Sequence, residues 1–570
     1  MPDKRKRVAT DNAARPTALK RRRHTETLDL LSPLSDELLV RILTYLPISD
    51  LLNLAPVSNR FYELSGDSQI WKRLYYSRFV LPRALRIPGF RDGTARAGKL
   101  HYSSRRTIWA DGRRGGWVDL HADKETRNWK RQYKLRHNWA RGKCAVEELQ
   151  VGEEPPETRD SPKMLVKVLD GVAITADFAT GLRVWDLKTK QLLTHMRLDD
   201  ADSDAIPSCM DIDDQHASQR TLDIAIGFTD GSFGVWRLFT DQRHMVRRYR
   251  HEISSNGGLV GAAYSYPYLL TATKSVLISL YTFQTPPNSE TETDVDSETE
   301  KGSESETAVE SDSDWGPTRS KLKNRALEEM SDELKTTPEM KLSAPYLLTS
   351  LKSHSSRSPL ALSLRRTGEN TVASIAYTFS TLRGWSLGIQ ELHIKPPTER
   401  HKAAPDVTTT QLAYTSPFYQ TQGRDRDDWP ISLSYTHPYL LATLPDNTLI
   451  LYLCRSSASA LTISPGIRLW GHTSGISDAE VTARGKAVSV SSRGEEIRVW
   501  ELEGRTNGRS VEVRPTMKNV EVENPDGRTD LMRGDQWDEK RNWVGFDDEM
   551  VIVLKESLEG RESLLVYDFT

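Results

Sequence analysis

Cysteine is scarce: the chain of 570 residues has three, at positions 144, 209 and 454. They are far apart, form no metal-type spacing and make no even disulfide set, so a disulfide scaffold is excluded and a reducing compartment is expected. Long apolar runs are also missing. No stretch approaches the roughly 18–20 residues that a membrane helix needs. The basic start of the chain is not followed by an apolar core, so it does not read as a secretory leader. These features point to the cytosol or nucleus. No phosphate-cradling glycine loop or Gly-x-Ser-x-Gly elbow is found, and the histidines do not fall in metal-ligand spacings. No catalytic residue, cofactor or metal site is therefore expected. Cys144 follows a basic run that could lower a thiol pKa, but a buried cysteine in a strand is the plainer reading. Net charge is nearly absent at -1, which hides local imbalance, basic in the first two dozen residues and acidic over 288–314.

What is present is organised in blocks, and a chain of this length calls for at least two domains. Residues 1–28 form a polar basic tail. Lys4, Arg5, Lys6 and Arg7 are separated from Lys20, Arg21, Arg22 and Arg23 by twelve residues. Two short cationic blocks on a flexible tether suit the acidic grooves of an import receptor. A solvated tail, or one touching nucleic acid without specificity, is the alternative.

Residues 29–76 have helical periodicity. Ser35 stands before Leu38, Leu39, Ile42, Leu43 and Leu46, an i, i+3/i+4 stripe with Ser35 as the expected N-cap. Pro47 ends that helix. Ser49 is read as the cap of a second helix holding Leu51, Leu52 and Leu54. A third carries Val57, Phe61 and Leu64 and closes at Gly66. Asp67 or Ser68 opens a fourth with Ile70, Trp71 and Leu74. So few residues bury only a small core, and a leftover apolar face would want a partner.

The run from Leu31 to Leu46, continued by Asp50-Leu51, Val57-Ser58, Arg60-Phe61 and Ile70-Trp71-Lys72, resembles the F-box motif. One departure is Ser35, where that family usually has proline. The resemblance implies docking on a Skp-type adaptor and, through it, on cullin. Leu34, Leu38, Ile42, Leu43, Leu46, Leu51, Val57 and Trp71 occupy positions that look like docking or supporting apolar positions. Plain intramolecular core is the competing reading for each.

Residues 77–142 are rich in Arg, Trp and Tyr. Arginines interleaved with Trp109, Trp117, Trp129 and Trp139 could stack nucleic-acid bases. A connecting helix, expected over 123–137 with its tryptophans inward and arginines solvated, explains the same spacing.

From residue 143 to 570 short apolar strands alternate with turns, and several end in an aromatic. Trp185 to Trp236 is 51 residues, Trp236 to Tyr281 is 45 and Tyr452 to Trp500 is 48. An all-strand repeat of this period reads as a β-propeller blade. Glycine turns precede the aromatic strands at Gly181 and Gly231. These features resemble degenerate WD repeats, best at Leu469–His472 through Trp500. In such repeats His472, a serine such as Ser491 or Ser492, and Trp500 form a buried hydrogen-bonded set. The usual acidic turn residue looks replaced, with Arg493-Gly494 in its place. Seven strand units are counted, with Lys143–Val151 as the closing strand of the ring. The expected fold is therefore a small all-α F-box module followed by an all-β, seven-bladed propeller.

Residues 284–343 interrupt one blade. They hold eleven acidic residues between Glu290 and Asp314 and too few aliphatics to offset ordering, so a disordered insertion is expected. It is either tolerated between blades or phosphorylated by acid-directed kinases. Counting seven back from blade tryptophans gives Phe178, Thr229 and Arg493 as candidate substrate contacts on a propeller rim. Only Arg493 suits phosphate.

Taken together, the resemblance implies a non-catalytic substrate receptor of a cullin-based (SCF-type) ubiquitin ligase, whose propeller binds a protein substrate. Alternatives are a non-degradative scaffold or RNA binding through the Arg/Trp segment.

Overall fold

The computed structural model describes residues 30–31, 33–84, 128–152, 164–198, 205–213, 215, 220–284, 341–368, 370–382, 384–396, 405–416, 429–457, 459–492, 494, 496–502, 509–515, 543–556 and 562–570. The basic clusters at 4–7 and 20–23, and most of the acidic insertion, lie outside them. The chain divides into two compact units, Met1–Ser77 and Arg78–Thr570.

The first unit holds four short helices: α1 (Asp36–Leu43), α2 (Ile48–Leu54), α3 (Asn59–Ser65) and α4 (Ser68–Tyr75). Ser35 is the N-cap of α1 but makes no side-chain cap bond. The cap of α2 is Pro47 rather than Ser49. Proline already has a suitable φ and lacks only an N–H that a helix start leaves unpaired, so the helix begins earlier than the serine suggests. Ser58 caps α3 by accepting the Phe61 N–H, and Asp67 caps α4 by accepting the Gln69 and Ile70 N–H groups. Leu39, Leu43, Leu51, Ile70, Trp71 and Tyr75 form the buried centre.

The second unit is a ring of seven sheets, antiparallel but for the short parallel pairing of Lys143–Cys144 with Arg514–Pro515. Blade 1 spans Leu165–Met196, blade 2 Pro207–Arg250, blade 3 Leu259–Lys352, blade 4 Ser356–Thr415, blade 5 Ser432–Trp470 and blade 6 Ile476–Glu512. Blade 7 takes its inner strands from Trp543–Asp568 and its fourth from Lys143–Gln150, beyond which the short strand Arg514–Pro515 pairs with Lys143 and Cys144. The fourth strand pairs antiparallel with Glu562–Asp568, from Ala145 opposite Asp568 to Gln150 opposite Ser563. The segment expected to close the ring thus does so. A separate apolar layer fills each gap between blades, such as Ile174, Leu182, Ile224 and Trp236 between blades 1 and 2. Inner strands are also stitched by side chains: Asp211 and Asp213 accept the Tyr264 and Tyr266 N–H groups across blades 2 and 3, each at 2.8 Å.

A π-helical turn (Tyr76–Val80) runs into a short α5 (Leu81–Ala84). The linker helix, expected over 123–137, runs from Trp129 to Arg141 as α6. Asn128 caps it by accepting the Arg131 N–H. Gly142 ends it at φ +67°, where a side chain would stand 2.0 Å from the Glu512 carbonyl; only glycine fits. Trp139 stacks on Phe569 with ring centroids 3.9 Å apart and donates to the Asp548 carbonyl at 2.9 Å. Among the described residues no helix is long and apolar enough to cross a membrane.

Candidate functional site

The candidate residues fall in two places: the helical unit and the loops of the propeller.

Helix α1 is apolar on both sides. Leu39 and Leu43 point into the core and are 2% and 3% exposed, while Leu38, Ile42 and Tyr45 follow one another on the outer side at 51%, 46% and 72%. The i, i+4, i+7 spacing puts these three in one stripe. Leu52, Val57 and Tyr62 add further exposed apolar surface. Arg60 braces the entry to α1, bonding Asp36 Oδ1 through Nε at 2.9 Å and the Leu34 carbonyl through Nη2 at 2.6 Å. Of the eight candidate adaptor residues, Leu38, Ile42 and Val57 are exposed. Leu34 and Leu46 are half-buried. Leu43, Leu51 and Trp71 are core, the last with its indole N–H on the Ser65 carbonyl at 2.7 Å.

On the propeller, Phe178 and Thr229 lie in the hairpins between the second and third strands of blades 1 and 2. Position 493 falls in the matching hairpin of blade 6, but Arg493 is outside the described residues. Antiparallel meanders put these hairpins on one face of the ring. Phe178 is 40% exposed, and the Thr229 N–H bonds the Ile206 carbonyl. Arg183 and Arg498, other arginines near this rim, are held by Asp177 and Glu496. Both guanidinium groups are committed to blade architecture.

The repeat-like set in blade 6 is present with two corrections. The serine is Ser489, which bonds His472 Nε2 at 2.6 Å and accepts the Trp500 indole N–H at 2.7 Å. Neither Ser491 nor Ser492 does this, because Ser489 pairs with Arg498 and so stands diagonally beside Trp500. The acidic member is Glu496, not lost at Arg493-Gly494. Its carboxylate accepts the Thr473 N–H and hydroxyl and the Arg498 Nε–H. Burial pushes the His472 imidazole down to about 4, with Glu496 opposing. In blade 1, Trp185 donates to Thr175 Oγ1 in the analogous place. Across blades 4 and 5 a different network appears. Glu391, fully buried, receives both arms of Arg365 at 2.7 and 3.0 Å and bonds Ser374, Tyr435 and Ser456.

The axial channel has an apolar cavity of about 260 Å³ lined by Met164, Met210 and Leu360 among others. A polar one of about 430 Å³ is lined by Lys167, Asp211, Arg365 and Glu480. Burial, with Lys167 opposing, pushes the Glu480 carboxyl up to about 7. Charges of both signs line this end. Cys144, Cys209 and Cys454 are buried free thiols, and burial pushes Cys144 up to about 12, the reverse of an activated nucleophile. The described part of the Arg/Trp segment is committed as well: Trp129 and Trp139 are buried and Arg131 pairs with Glu549 at 3.1 Å, while Trp109 and Trp117 lie outside the described residues.

Residues 36–77 match the family model described as F-box-like, and residues 144–570 match the one described as F-box protein pof12 beta-propeller. The second match spans most of the chain. The protein belongs to the F-box protein pof12 β-propeller family: an F-box unit followed by a seven-bladed propeller. No curated protein sequence matches the chain. Solved structures with a similar fold include the C-terminal WD40 domain of Sif2, at 9% identity and a TM-score of 0.37, covering 74% of this chain and 98% of that one. U3-55K is similar at 8% identity and 0.36, with the same coverage. The designed protein Ika8 is similar at 11% and 0.33, covering 71% and 83%.

Proposed function

We propose that this protein is the substrate-receptor subunit of a cullin-based ubiquitin ligase. Its F-box docks on a Skp-type adaptor, and its propeller holds the protein to be ubiquitinated. The observation that carries the reading is the outward stripe of Leu38 and Ile42, continued by Tyr45 in the turn that follows, on a helix whose inner side is already used by Leu39 and Leu43. Fully burying a leucine or isoleucine is worth about 1.5–3 kcal/mol, so a partner groove over this stripe gains substantially. Such a receptor supplies proximity rather than chemistry, holding a substrate lysine beside a charged conjugating enzyme. The RNA reading gains no comparable support, since the Trp129 and Trp139 indoles and the Arg131 guanidinium of α6 are already engaged. The scaffold reading shares the docking stripe and is separated by deletion of the receptor, which leaves a scaffold's partner at an unchanged level and makes a ligase substrate accumulate.

The test is affinity purification of the full chain and of a Leu38→Asp, Ile42→Asp double variant, followed by mass spectrometry. The wild type should recover adaptor and cullin. The variant should lose both while keeping its propeller-bound partners, because the changed residues are exposed and the fold does not depend on them. Absence of adaptor and cullin from the wild-type preparation would sink the proposal.

A further inference from the structure

Blade 4 is built on a larger scale than its neighbour. Its first three strands have 12 residues each, whereas the second and third strands of blade 3 have 6. The layer packed between the two blades uses Ala373, Ile375, Leu392 and Ile394, with Tyr377 at its margin. Phe379, two residues further on, and Tyr414 are not part of that layer. A groove of about 550 Å³ opens there, and every described side chain lining it is Ser, Thr, Tyr or Phe.

Its floor follows from strand register. Tyr377, Gly388 and Tyr414 lie side by side on three adjacent strands. A Cβ at Gly388 would stand 2.6 Å from Tyr377 Cζ, so the glycine lets the tyrosine ring lie across the sheet. Phe379 is 6.0 Å from Tyr377 and 5.7 Å from Tyr414, centroid to centroid. Tyr414 remains 58% exposed. Hydroxyls rim this aromatic platform in bonded pairs: Ser386 with Ser416 at 2.8 Å and Ser353 with Ser356 at 2.7 Å. Each pair uses one proton and leaves another to donate outward.

We propose that this groove is a subsite for an uncharged, proline-rich segment of the protein substrate, held in a polyproline II conformation; the proposal rests on the receptor reading above. A lining without described charges cannot offset the desolvation of a charged side chain. The backbone groups of the second and third strands are already bonded on both sides within the sheet, so the floor of the groove offers side chains rather than free backbone. What the groove offers is hydroxyl donors and ring faces. A polyproline II segment presents carbonyl acceptors, has few N–H groups to satisfy, and packs its rings on aromatics at low entropic cost. Sugar rings also stack on aromatic faces, so a neutral glycan is the competing occupant, to which the described lining offers hydroxyls but no carboxylate or side-chain amide.

The experiment titrates fluorescein-labelled deca-L-proline with the full chain by fluorescence anisotropy, beside a Gly/Ser peptide of equal length and the neutral oligosaccharide maltoheptaose. The proline peptide should bind saturably, and the Gly/Ser peptide at least tenfold more weakly. Tyr414→Ala should weaken binding at least tenfold; Ser416→Glu, a charge at an exposed rim position, should do the same without removing a packed ring. Undetectable binding by the wild type, or unchanged binding by both variants, overturns the proposal. So does preference for maltoheptaose, or self-association that Tyr414→Ala abolishes, which would assign the groove to a glycan or to a second copy. Adaptor recovery from the same cells is scored separately. Adaptor present without peptide binding rejects the groove alone, and peptide binding without adaptor rejects the receptor reading alone.

Discussion

At the scale of single residues, blade 6 shows how much depends on one hydroxyl. Ser489 serves two buried groups, His472 Nε2 and the Trp500 indole N–H. Ser489→Ala leaves both short of a partner, and each buried unsatisfied group costs about 1–3 kcal/mol. Urea unfolding should show a loss of about 2 kcal/mol or more; a loss of only a few tenths would mean that Ser489 is not the hub. The same cluster has a pH signature. In the folded chain His472 titrates at about 4, in the unfolded chain near 6.5. Between those values the unfolded state binds more protons, so this residue's contribution is full above about 6.5 and is lost as pH falls toward 4. Glu480, raised to about 7, acts in the opposite sense above its ordinary value. The difference between wild type and His472→Gln therefore isolates the histidine. Its stability gap should be smaller at pH 4.5 than at pH 7, and a gap that widens on acidification would contradict the buried neutral imidazole.

At the scale of elements, α1 explains both what the sequence reveals and where it stops. Its apolar stripe is legible by spacing, and so is the F-box resemblance. Leu38 and Leu39, or Ile42 and Leu43, are neighbours about 100° apart on the helix. Pattern alone therefore cannot say which of each pair the other helices cover. The structure buries Leu39 and Leu43 and leaves Leu38 and Ile42 outside. Leu43→Asp should accordingly unfold the helical unit, while Leu38→Asp should leave its helicity intact by circular dichroism of isolated Met1–Ser77, which clusters as its own compact unit. Loss of helicity in both would show that the outer stripe supports the fold. Blade 6 has the same limit. The His472–Trp500 pairing is visible as a motif, but which serine joins it depends on strand register, and the hairpin places the acid at 496. The blade repeat, by contrast, is read from the recurrence of Trp185, Trp236, Tyr281, Tyr452 and Trp500 near strand ends. The 12-residue strands of blade 4 carry no such marker and became visible only in the fold.

At the scale of the whole molecule, the ring is shut by a strand that comes from the other end of its own sequence. Lys143–Gln150 covers an edge of blade 7 that would otherwise present unpaired backbone along Glu562–Asp568. Leu149 packs with Ile552, Leu564 and Val566, and Val151 joins the same layer. Helix α6 reinforces the closure through Trp139 on Phe569 and through Asn138, which donates to the Phe569 carbonyl at 2.8 Å. Closure thus combines a ladder, an apolar layer and a stacked aromatic pair, all lost together if the strand is removed. An open edge next to exposed aliphatics is a template for pairing with other chains. A chain beginning at Arg78 should therefore run as a monomer on size-exclusion chromatography and unfold cooperatively on heating. One beginning at Gly152 should lose cooperativity and elute as aggregates. Trp139→Ala, which keeps the ladder and removes the stack, the indole bond, the Lys486 ammonium contact and the ring's share of the apolar layer, should fall between them, costing about 3–5 kcal/mol. If the chain beginning at Gly152 stays monomeric with an unchanged melting temperature, blade 7 is stable with three strands, and the segment at 143–150 is a tether rather than the clasp of the ring.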